Sequence, residues 1–265
     1  MFLKGPVVGV VHLLALPGSP GHGGSMRKVI DRAVRDAEAY ASGGAHALIV
    51  ENHGDAPFLK EDLPPETVAA LTRCAAAVRD AVELPLGINA LRNDARSALG
   101  IAVAVGASFV RVNVHTGVMA TDQGLVEGRA AETLRVRAAL GAEKIMIAAD
   151  AHVKHGRPLH AESLVDAARD LVGRGGADAL IVSGVATGAP TDLEDLRAVR
   201  EALPDAILLA GSGVRRETVA DVLAYADAVI VGTALKRGGK TAAPVDVERV
   251  RSFVRAATRK GRRSR

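Results

Sequence analysis

The sequence predicts a single (β/α)8 barrel, in which eight parallel strands alternate with helices. Its 265 residues, 48% of them hydrophobic, suit one barrel of about 250 residues. One strand pattern also recurs four times, with starts at 44, 106, 176 and 225. These spacings are close to two strand–helix units, since one βαβ crossover takes about 30 residues. Four two-unit repeats make eight units, which favours a closed barrel over an open doubly wound sheet. The repeats are GAHALIV at 44–50, GASFVRV at 106–112, GADALIV at 176–182 and YADAVIV at 225–231.

The other strands and the helices fall into the gaps between the repeats. The segment 26–42 has a charged face and an inward face of Val and Ala at helical spacing. Gly-Gly or Gly-Ala after several helices is typical of C-terminal caps. We expect one barrel over 1–254 and a basic, disordered tail over 255–265. The remaining strands are predicted at 7–12, 84–89, 144–150 and 206–211, and the helices at 26–42, 65–82, 94–105, 127–140, 162–172, 193–202, 216–223 and 246–258.

Composition excludes several classes of protein. Cys74 is the only cysteine, which excludes an intrachain disulfide and a thiolate zinc site. Gly9, His12 and Pro17 interrupt the apolar N-terminus, and no stretch reaches the roughly 18 apolar residues of a membrane span. We therefore expect a cytoplasmic protein without a membrane span. No G-x-G-x-x-G follows the first strand, so the sequence has no nucleotide cofactor motif.

The formal net charge of +4 is unevenly distributed along the chain. Residues 255–265 carry six basic residues and no acidic one, which leaves 28 basic and 30 acidic residues elsewhere. The basicity therefore belongs to a solvated tail. Aromatic residues make up 2% of the chain and Trp is absent, so surfaces that stack bases are not expected. We expect no specific nucleic-acid partner.

Polar residues gather at the predicted C-terminal ends of the strands, where barrels of this kind have their active sites. In the segment FVRVN, Phe109, Arg111 and Asn113 share one strand face. If that face is the barrel interior, Arg111 needs a buried anion, which is Asp150, Glu51 or a phosphate. A salt-bridge network that fills the barrel is the structural alternative. The strand ends contribute His12, Glu51, Asn52, Asn89, Arg111, Asn113, Asp150, His152, Lys154, Ser183 and Gly184.

Glycines at the last two strand ends predict a phosphate site. The loops after strands seven and eight commonly bind phosphate in these barrels, since glycine lets backbone N–H groups approach an anion. Ser183 and Gly184, with Thr187 and Gly188 beyond them, are expected at the same face. The two loops contribute Gly211, Ser212, Gly213, Gly232 and Thr233.

The segment 115–127 is long for a connection between a strand and a helix. Asp122 and Gln123 lie between Gly117 and Gly124 in this segment. The pattern indicates either a mobile lid over the pocket or an ordered surface loop.

Nine motifs are spread over almost the whole chain: VGVVHLLALPGSP, IVENHGDAPF, LRNDARSAL, FVRVNVHTG, TDQGLVEGRA, DAHVKH, IVSGVATGAP, GSGV and VGTALKRGG. Together they resemble the BtpA/SgcQ family. The resemblance implies a barrel related to the ribulose-phosphate-binding group. The family takes its name from a photosystem I biogenesis factor, and other members look like accessory genes of sugar-uptake operons, so no single reaction is implied. The family usually has an aliphatic or aromatic residue where His53 stands.

The leading hypothesis is an isomerase, lyase or hydrolase that acts on a phosphorylated sugar or nucleoside-like metabolite. A strand that continues past Asp150 with a period of two would direct Asp150, His152 and Lys154 into the pocket. Asp150 is then the general acid/base, tuned by His152 and Lys154, with Glu51 as its counterpart. It would face solvent and substrate, so Asp150→Asn would change stability little. The predicted substrate-binding residues are His12, Asn89, Arg111, Asn113, Asp122 and Gln123.

Three alternatives are left open. A non-catalytic barrel could assist the assembly of another complex, and would have a pocket filled by its own side chains. Glu51, Asp150, His152 and His12 could hold a divalent metal. Lys154 could form a Schiff base, although its place in a predicted loop argues against this. Homo-oligomerisation is compatible with every one of these hypotheses.

Overall fold

A computed structural model describes residues 5–60, 62–184 and 192–258. Eight parallel strands form a closed barrel in chain order, and the last strand pairs with the first through Val7↔Val229 and Gly9↔Val231. The predicted (β/α)8 barrel is confirmed, with the four repeated segments as its even-numbered strands. The strands are β1 Val7–His12, β2 Ala47–Glu51, β3 Leu86–Asn89, β4 Phe109–Val112, β5 Met146–Asp150, β6 Ala179–Ser183, β7 Leu208–Gly211 and β8 Ala228–Val231.

Helices follow the strands at the predicted positions. Their ends are fixed by local signals: the Ser25 hydroxyl accepts from the Lys28 amide, and the Asp94 carboxylate accepts from the Ser97 amide. Gly106 closes one helix in the left-handed conformation, with φ of 63°. The seventh helix is a single turn, shorter than the predicted 216–223. The helices are α1 Met26–Ser42, α2 Pro65–Ala81, α3 Ala95–Val105, α4 Ala130–Ala139, α5 Leu164–Gly173, α6 Leu193–Ala202, α7 Val219–Val222 and α8 Val247–Thr258.

The last helix extends into the segment predicted as a disordered tail. Residues 255–258 are helical, and Ala257 packs into the hydrophobic core. Residues 259–265 lie outside the described residues, as do Thr187 and Gly188, so the disordered tail stays a prediction. In the described part of the chain, no helix combines the length and apolarity that a membrane crossing requires.

The long segment after β4 forms a hairpin rather than an irregular loop. Its strands Val118–Thr121 and Gly124–Glu127 pair antiparallel, and Gly156–Pro158 joins them from the connection after β5. We call these three strands the cap sheet. They explain why α4 begins three residues later than predicted, and they support the alternative of an ordered surface structure.

The barrel interior changes from apolar to polar along the strands. Val10 and Ile49 belong to the apolar cluster inside the barrel, while Val11 and Val50 belong to the larger cluster under the helices. Because strand side chains alternate with a period of two, the next inward positions after the apolar layer are polar. This layer contains His12, Glu51, Asn89, Arg111, Asp150 and Ser183, all at or near the C-terminal strand ends.

Candidate functional site

An ion pair between Arg111 and Asp150 lies in the polar layer. Arg111 donates from Nε to Asp150 Oδ2 at 3.0 Å and from Nη2 to Oδ1 at 2.8 Å. Asn113 donates to Oδ2 at 3.1 Å and Ser183 to Oδ1 at 3.2 Å. The Arg111 side chain is 4% exposed and that of Asp150 0% exposed. Burial alone would lower the pKa of Arg111, but Asp150 raises it above its ordinary value.

These contacts identify Asp150 as the anion that pairs with Arg111, which the sequence left open. The two oxygens of Asp150 accept four hydrogen bonds. The expectation that its carboxylate faces solvent and substrate is therefore wrong. A carboxylate held in this way orients its donors and neutralises a buried guanidinium, which matches the salt-bridge alternative for this pair.

His12 and Glu51 form a second buried pair on adjacent strands. They are register partners of β1 and β2, and His12 Nε2 lies 3.2 Å from Glu51 Oε1. Burial lowers the pKa of His12, and the interaction with Glu51 offsets only part of this. Burial would raise the pKa of Glu51, but the hydrogen bond with His12 and the charges of Lys154 and Arg111 lower it. At neutral pH a neutral His12 thus donates to an ionised Glu51.

Lys154 faces the same space from the connection after β5. Its ammonium makes no hydrogen bond or ion pair with any described residue. Arg92, itself 3% exposed, donates from Nη2 to the Lys154 carbonyl at 2.6 Å and holds that backbone in place. Burial lowers the pKa of Lys154; Glu51 opposes the shift, and Arg111 adds to it.

A cavity of about 750 Å³ connects these residues to the glycine loops. This volume lies within the range of small-molecule sites. The Glu51 carboxylate and Lys154 lie at its inner end. The predicted residues that line it are His12, Glu51, Arg111, Lys154, Ser212, Gly213, Gly232 and Thr233. The exposed residues at its outer end are Arg215, Arg216, Glu248 and Arg249.

The loops after β7 and β8 present backbone donors to this cavity. Ser212 and Gly213 both have left-handed φ values, of 65° and 63°. A side chain at Gly232 would place its Cβ 2.7 Å from His12 Cε1, so this close approach requires glycine. Among the described residues, no acceptor takes a hydrogen bond from four amides that line the cavity. These are the N–H groups of Gly213, Val214, Thr233 and Ala234.

Other predicted residues lie outside the cavity lining and contact residues of the polar layer. Asn89 donates to the Arg111 carbonyl at 2.9 Å and to Asn113 Oδ1 at 3.0 Å. Gly211 approaches Ser183 so closely that an added Cβ would lie 2.6 Å from the Ser183 hydroxyl. Of the described residues, the lining of the cavity does not include Asn89, Asn113, Ser183, Gly184 or Gly211.

Three predicted residues lie away from the cavity. β5 ends at Asp150, so the period of two does not continue, and His152 interacts electrostatically with Glu162 and Asp195. The prediction that His152 converges on the pocket is therefore wrong. Asp122 and Gln123 form the tip of the cap-sheet hairpin, where Gln123 donates to Asp122.

The four residues considered as metal ligands are not arranged as a metal site. Asp150 is occupied by Arg111, Asn113 and Ser183, and His152 is turned away. Within the described residues, no group of three or more His, Cys, Asp and Glu side chains could hold a metal ion.

Sequence reasoning placed Arg92 among the polar residues after β3 but gave it no role, because nothing local indicates that a residue there contacts the connection after β5. It also gave no role to His53. The ring centroid of His53 lies 4.5 Å from that of His12, and His53 therefore covers the His12–Glu51 pair.

Comparison with known proteins places the chain in a family. The model of the BtpA family matches residues 3–259. The chain belongs to the BtpA family. It is 48% identical over 251 residues to the photosystem I biogenesis protein BtpA of Synechocystis sp., covering 95% of this chain and 87% of that protein. It is 33% identical over 250 residues to the putative sgc region protein SgcQ of Escherichia coli, covering 94% of this chain and 92% of that protein.

Solved structures place this BtpA-family chain among the (β/α)8 barrels. A thiamine phosphate pyrophosphorylase from Pyrococcus furiosus superposes with a TM-score of 0.61 at 14% identity, covering 95% of both chains. A phosphoribosyl anthranilate isomerase from Thermococcus kodakaraensis has a TM-score of 0.57 at 13% identity, covering 96% of this chain and 99% of that one. At such identities the likeness shows the fold.

Because of His53, we expect the stability of this BtpA-family barrel to fall at acidic pH. Burial, together with the charge of His12, lowers its pKa from 6.5 to about 4. Between these values the unfolded chain binds a proton that the folded chain does not, so stability is lost as pH falls through this window. At about 1.4 kcal/mol per pKa unit, the free energy of unfolding falls by at most about 3.5 kcal/mol across this window. His53→Phe keeps a ring against His12 and should flatten the pH dependence of the unfolding free energy between pH 7 and 4.

The exposed His160→Gln variant is the control. An equal slope in wild type and His53→Phe would show that His53 does not cause the pH dependence.

Proposed function

We propose that this BtpA-family barrel is an enzyme that acts on a phosphorylated small molecule, a sugar phosphate or a nucleoside-like phosphate. One observation carries the proposal: a single cavity contains four unpaired backbone amides at one wall and Glu51, His12 and Lys154 at its inner end. The amides suit a phosphate and the inner residues suit proton transfer. A phosphorylated metabolite also fits the cytoplasmic location predicted from the sequence.

The phosphate is proposed to bind the loops after β7 and β8. The amides of Gly213, Val214, Thr233 and Ala234 are available donors, and phosphate oxygens accept such bonds strongly. The charge balance favours an anion as well. Lys154 interacts electrostatically with two cations, Arg92 and Arg111, and with two carboxylates, Glu51 and Asp150, so these five groups carry three positive and two negative charges.

Glu51 is the group best placed to move a proton. It is ionised, it lines the cavity, and its contact with His12 Nε2 leaves the carboxylate free to accept from a ligand. Asp150 is proposed as a positioning residue that fixes Arg111 and Asn113. We therefore assign to Glu51 the catalytic role predicted for Asp150. Arg111 lines the cavity and would contact the ligand there.

The phosphate assignment is tested at Gly213. Gly213→Val places a β-branched residue at a left-handed position and crowds the amides, so stabilisation by phosphorylated compounds should be lost. The measurement is the melting temperature of each variant with inorganic phosphate and a panel of sugar and nucleoside phosphates. For the wild type, a ligand at 100 times its Kd should add about 2.7 kcal/mol.

Gly141→Val is the matched control. Gly141 has a φ of 61° and open space where its Cβ would lie, so the variant carries similar backbone strain far from the cavity. It should melt lower yet keep the full ligand-dependent shift. A wild type that no phosphorylated compound stabilises would refute the phosphate site.

A non-catalytic assembly role is the second candidate. The Synechocystis relative is named for photosystem I biogenesis, and exposed leucines occur in connections at the C-terminal end of this barrel. They are Leu14, Leu59, Leu125 and Leu159, each at least 39% exposed. An open cavity of this size argues against a barrel filled by its own side chains. If Leu59→Ser and Leu159→Ser abolish function in cells while phosphorylated ligands have no effect on stability, this role replaces the enzymatic one.

A further inference from the structure

Lys154 is a cation without a counterion in contact. Its side chain is partly buried and lines the same cavity as His12 and Glu51, and among the described residues no carboxylate lies within ion-pair distance of its nitrogen. The nearby Asp150 is committed to Arg111 through two hydrogen bonds. A lysine that served only to balance charge would be expected in contact with an acid.

The surroundings of Lys154 lower the pKa of its ammonium group. Burial is the largest cause, the cations of Arg111 and Arg92 add to it, and the carboxylates of Glu51 and Asp150 oppose it. Desolvation and neighbouring cations are the two means by which proteins make a lysine nucleophilic at neutral pH. Arg92 also donates a hydrogen bond to the Lys154 carbonyl, which holds the backbone that carries the Lys154 side chain in place.

We propose that Lys154 is a nucleophile that forms an iminium with the carbonyl group of a phosphorylated aldehyde or ketone. This proposal rests on the proposed function, because the phosphate loops would hold the ligand whose carbonyl carbon the amine attacks. It gives that function a substrate class, the carbonyl-bearing phosphate esters.

The step balances within the cavity. The Glu51 carboxylate first takes one proton from the Lys154 ammonium. The Nζ lone pair then forms a C–N bond, the carbonyl π pair moves to oxygen, and a second proton passes from nitrogen to that oxygen to give a carbinolamine. Glu51 returns its proton to the hydroxyl, the C–O bond breaks, one water leaves and a C=N⁺ bond with one N–H remains. No oxidant, reductant or metal is required. The iminium can accept the electron pair of a C–H or C–C bond broken at the adjacent carbon, which agrees with the isomerase and lyase classes.

Reductive trapping tests the proposal. The full chain is incubated with glycolaldehyde phosphate, glyceraldehyde 3-phosphate or dihydroxyacetone phosphate, each with sodium borohydride, and the adduct is located by peptide mass spectrometry. We expect one adduct per chain at Lys154, suppressed by inorganic phosphate and much weaker with unphosphorylated glyceraldehyde. The exposed Lys28, Lys144 and Lys240 serve as internal references for non-specific labelling.

Two variants separate this inference from the proposed function. Lys154→Arg keeps the positive charge but cannot form the iminium, so it should lose the adduct and keep stabilisation by phosphate. Lys240→Arg should label like the wild type. Stabilisation by phosphorylated compounds without an adduct at Lys154 would overturn the nucleophile alone, as would labelling spread over the exposed lysines. The absence of both stabilisation and adduct would overturn the phosphate site and the nucleophile together.

Discussion

Asp150→Ala is expected to destabilise the barrel by about 3–5 kcal/mol, because it leaves the Arg111 guanidinium buried and unpaired. The wild-type carboxylate accepts two bonds from Arg111 and one each from Asn113 and Ser183. For a domain of this size, such a loss lowers the melting temperature by roughly 6–20 °C. Thermal and urea unfolding of the purified chain measure it directly, without knowledge of the substrate.

A double variant distinguishes the pair from the individual groups. Arg111→Met with Asp150→Leu removes both charges and should recover much of the stability lost by Asp150→Ala, since an apolar pair carries no desolvation cost. Glu201→Gln is the surface control. It breaks the exposed Arg197–Glu201 pair, and an effect below about 1 kcal/mol is expected. If Asp150→Ala melts like the wild type, the buried pair does not hold the polar layer together.

Glu51→Gln is expected to reduce turnover at least about 100-fold, as is usual when a general acid/base is removed. The amide keeps the size of the side chain and can still accept a hydrogen bond from His12, so the fold and phosphate-dependent stabilisation should persist. Activity is measured on whichever phosphorylated compound stabilises the wild type. Glu248→Gln, at the exposed outer end of the same cavity, is the matched control and should retain turnover.

A second readout of Glu51→Gln needs no substrate. Glu51 raises the pKa of His12 against the effect of burial, so removing its charge should lower the pKa of His12 further. Titration of the His12 ring by NMR checks this. Unchanged turnover in a folded Glu51→Gln variant would show that another group transfers the proton. An unchanged His12 titration would show that His12 and Glu51 do not interact.

The polar layer was predictable in its composition but not in its pairing. Periodicity placed Arg111 on an inward face and required an anion, and it left Asp150, Glu51 and a phosphate as candidates. The structure pairs Arg111 with Asp150 because β4 and β5 are neighbours in the barrel, with Val112 opposite Ala149. Glu51 is two strands away from β4, on β2, and pairs with His12 on β1 instead.

Local patterns therefore determined the barrel, the order of its elements and the glycine loops after β7 and β8, since strand alternation, helical spacing and glycine conformation depend on nearby residues. The tertiary structure decided which polar residues serve the cavity. It ended β5 at Asp150, which turned His152 away and directed Lys154 inward, and it brought Arg92 from the connection after β3 onto the Lys154 carbonyl. These outcomes depend on which strands are neighbours and on where connections cross the barrel mouth. Both are contacts between residues distant in sequence, and no local period encodes them.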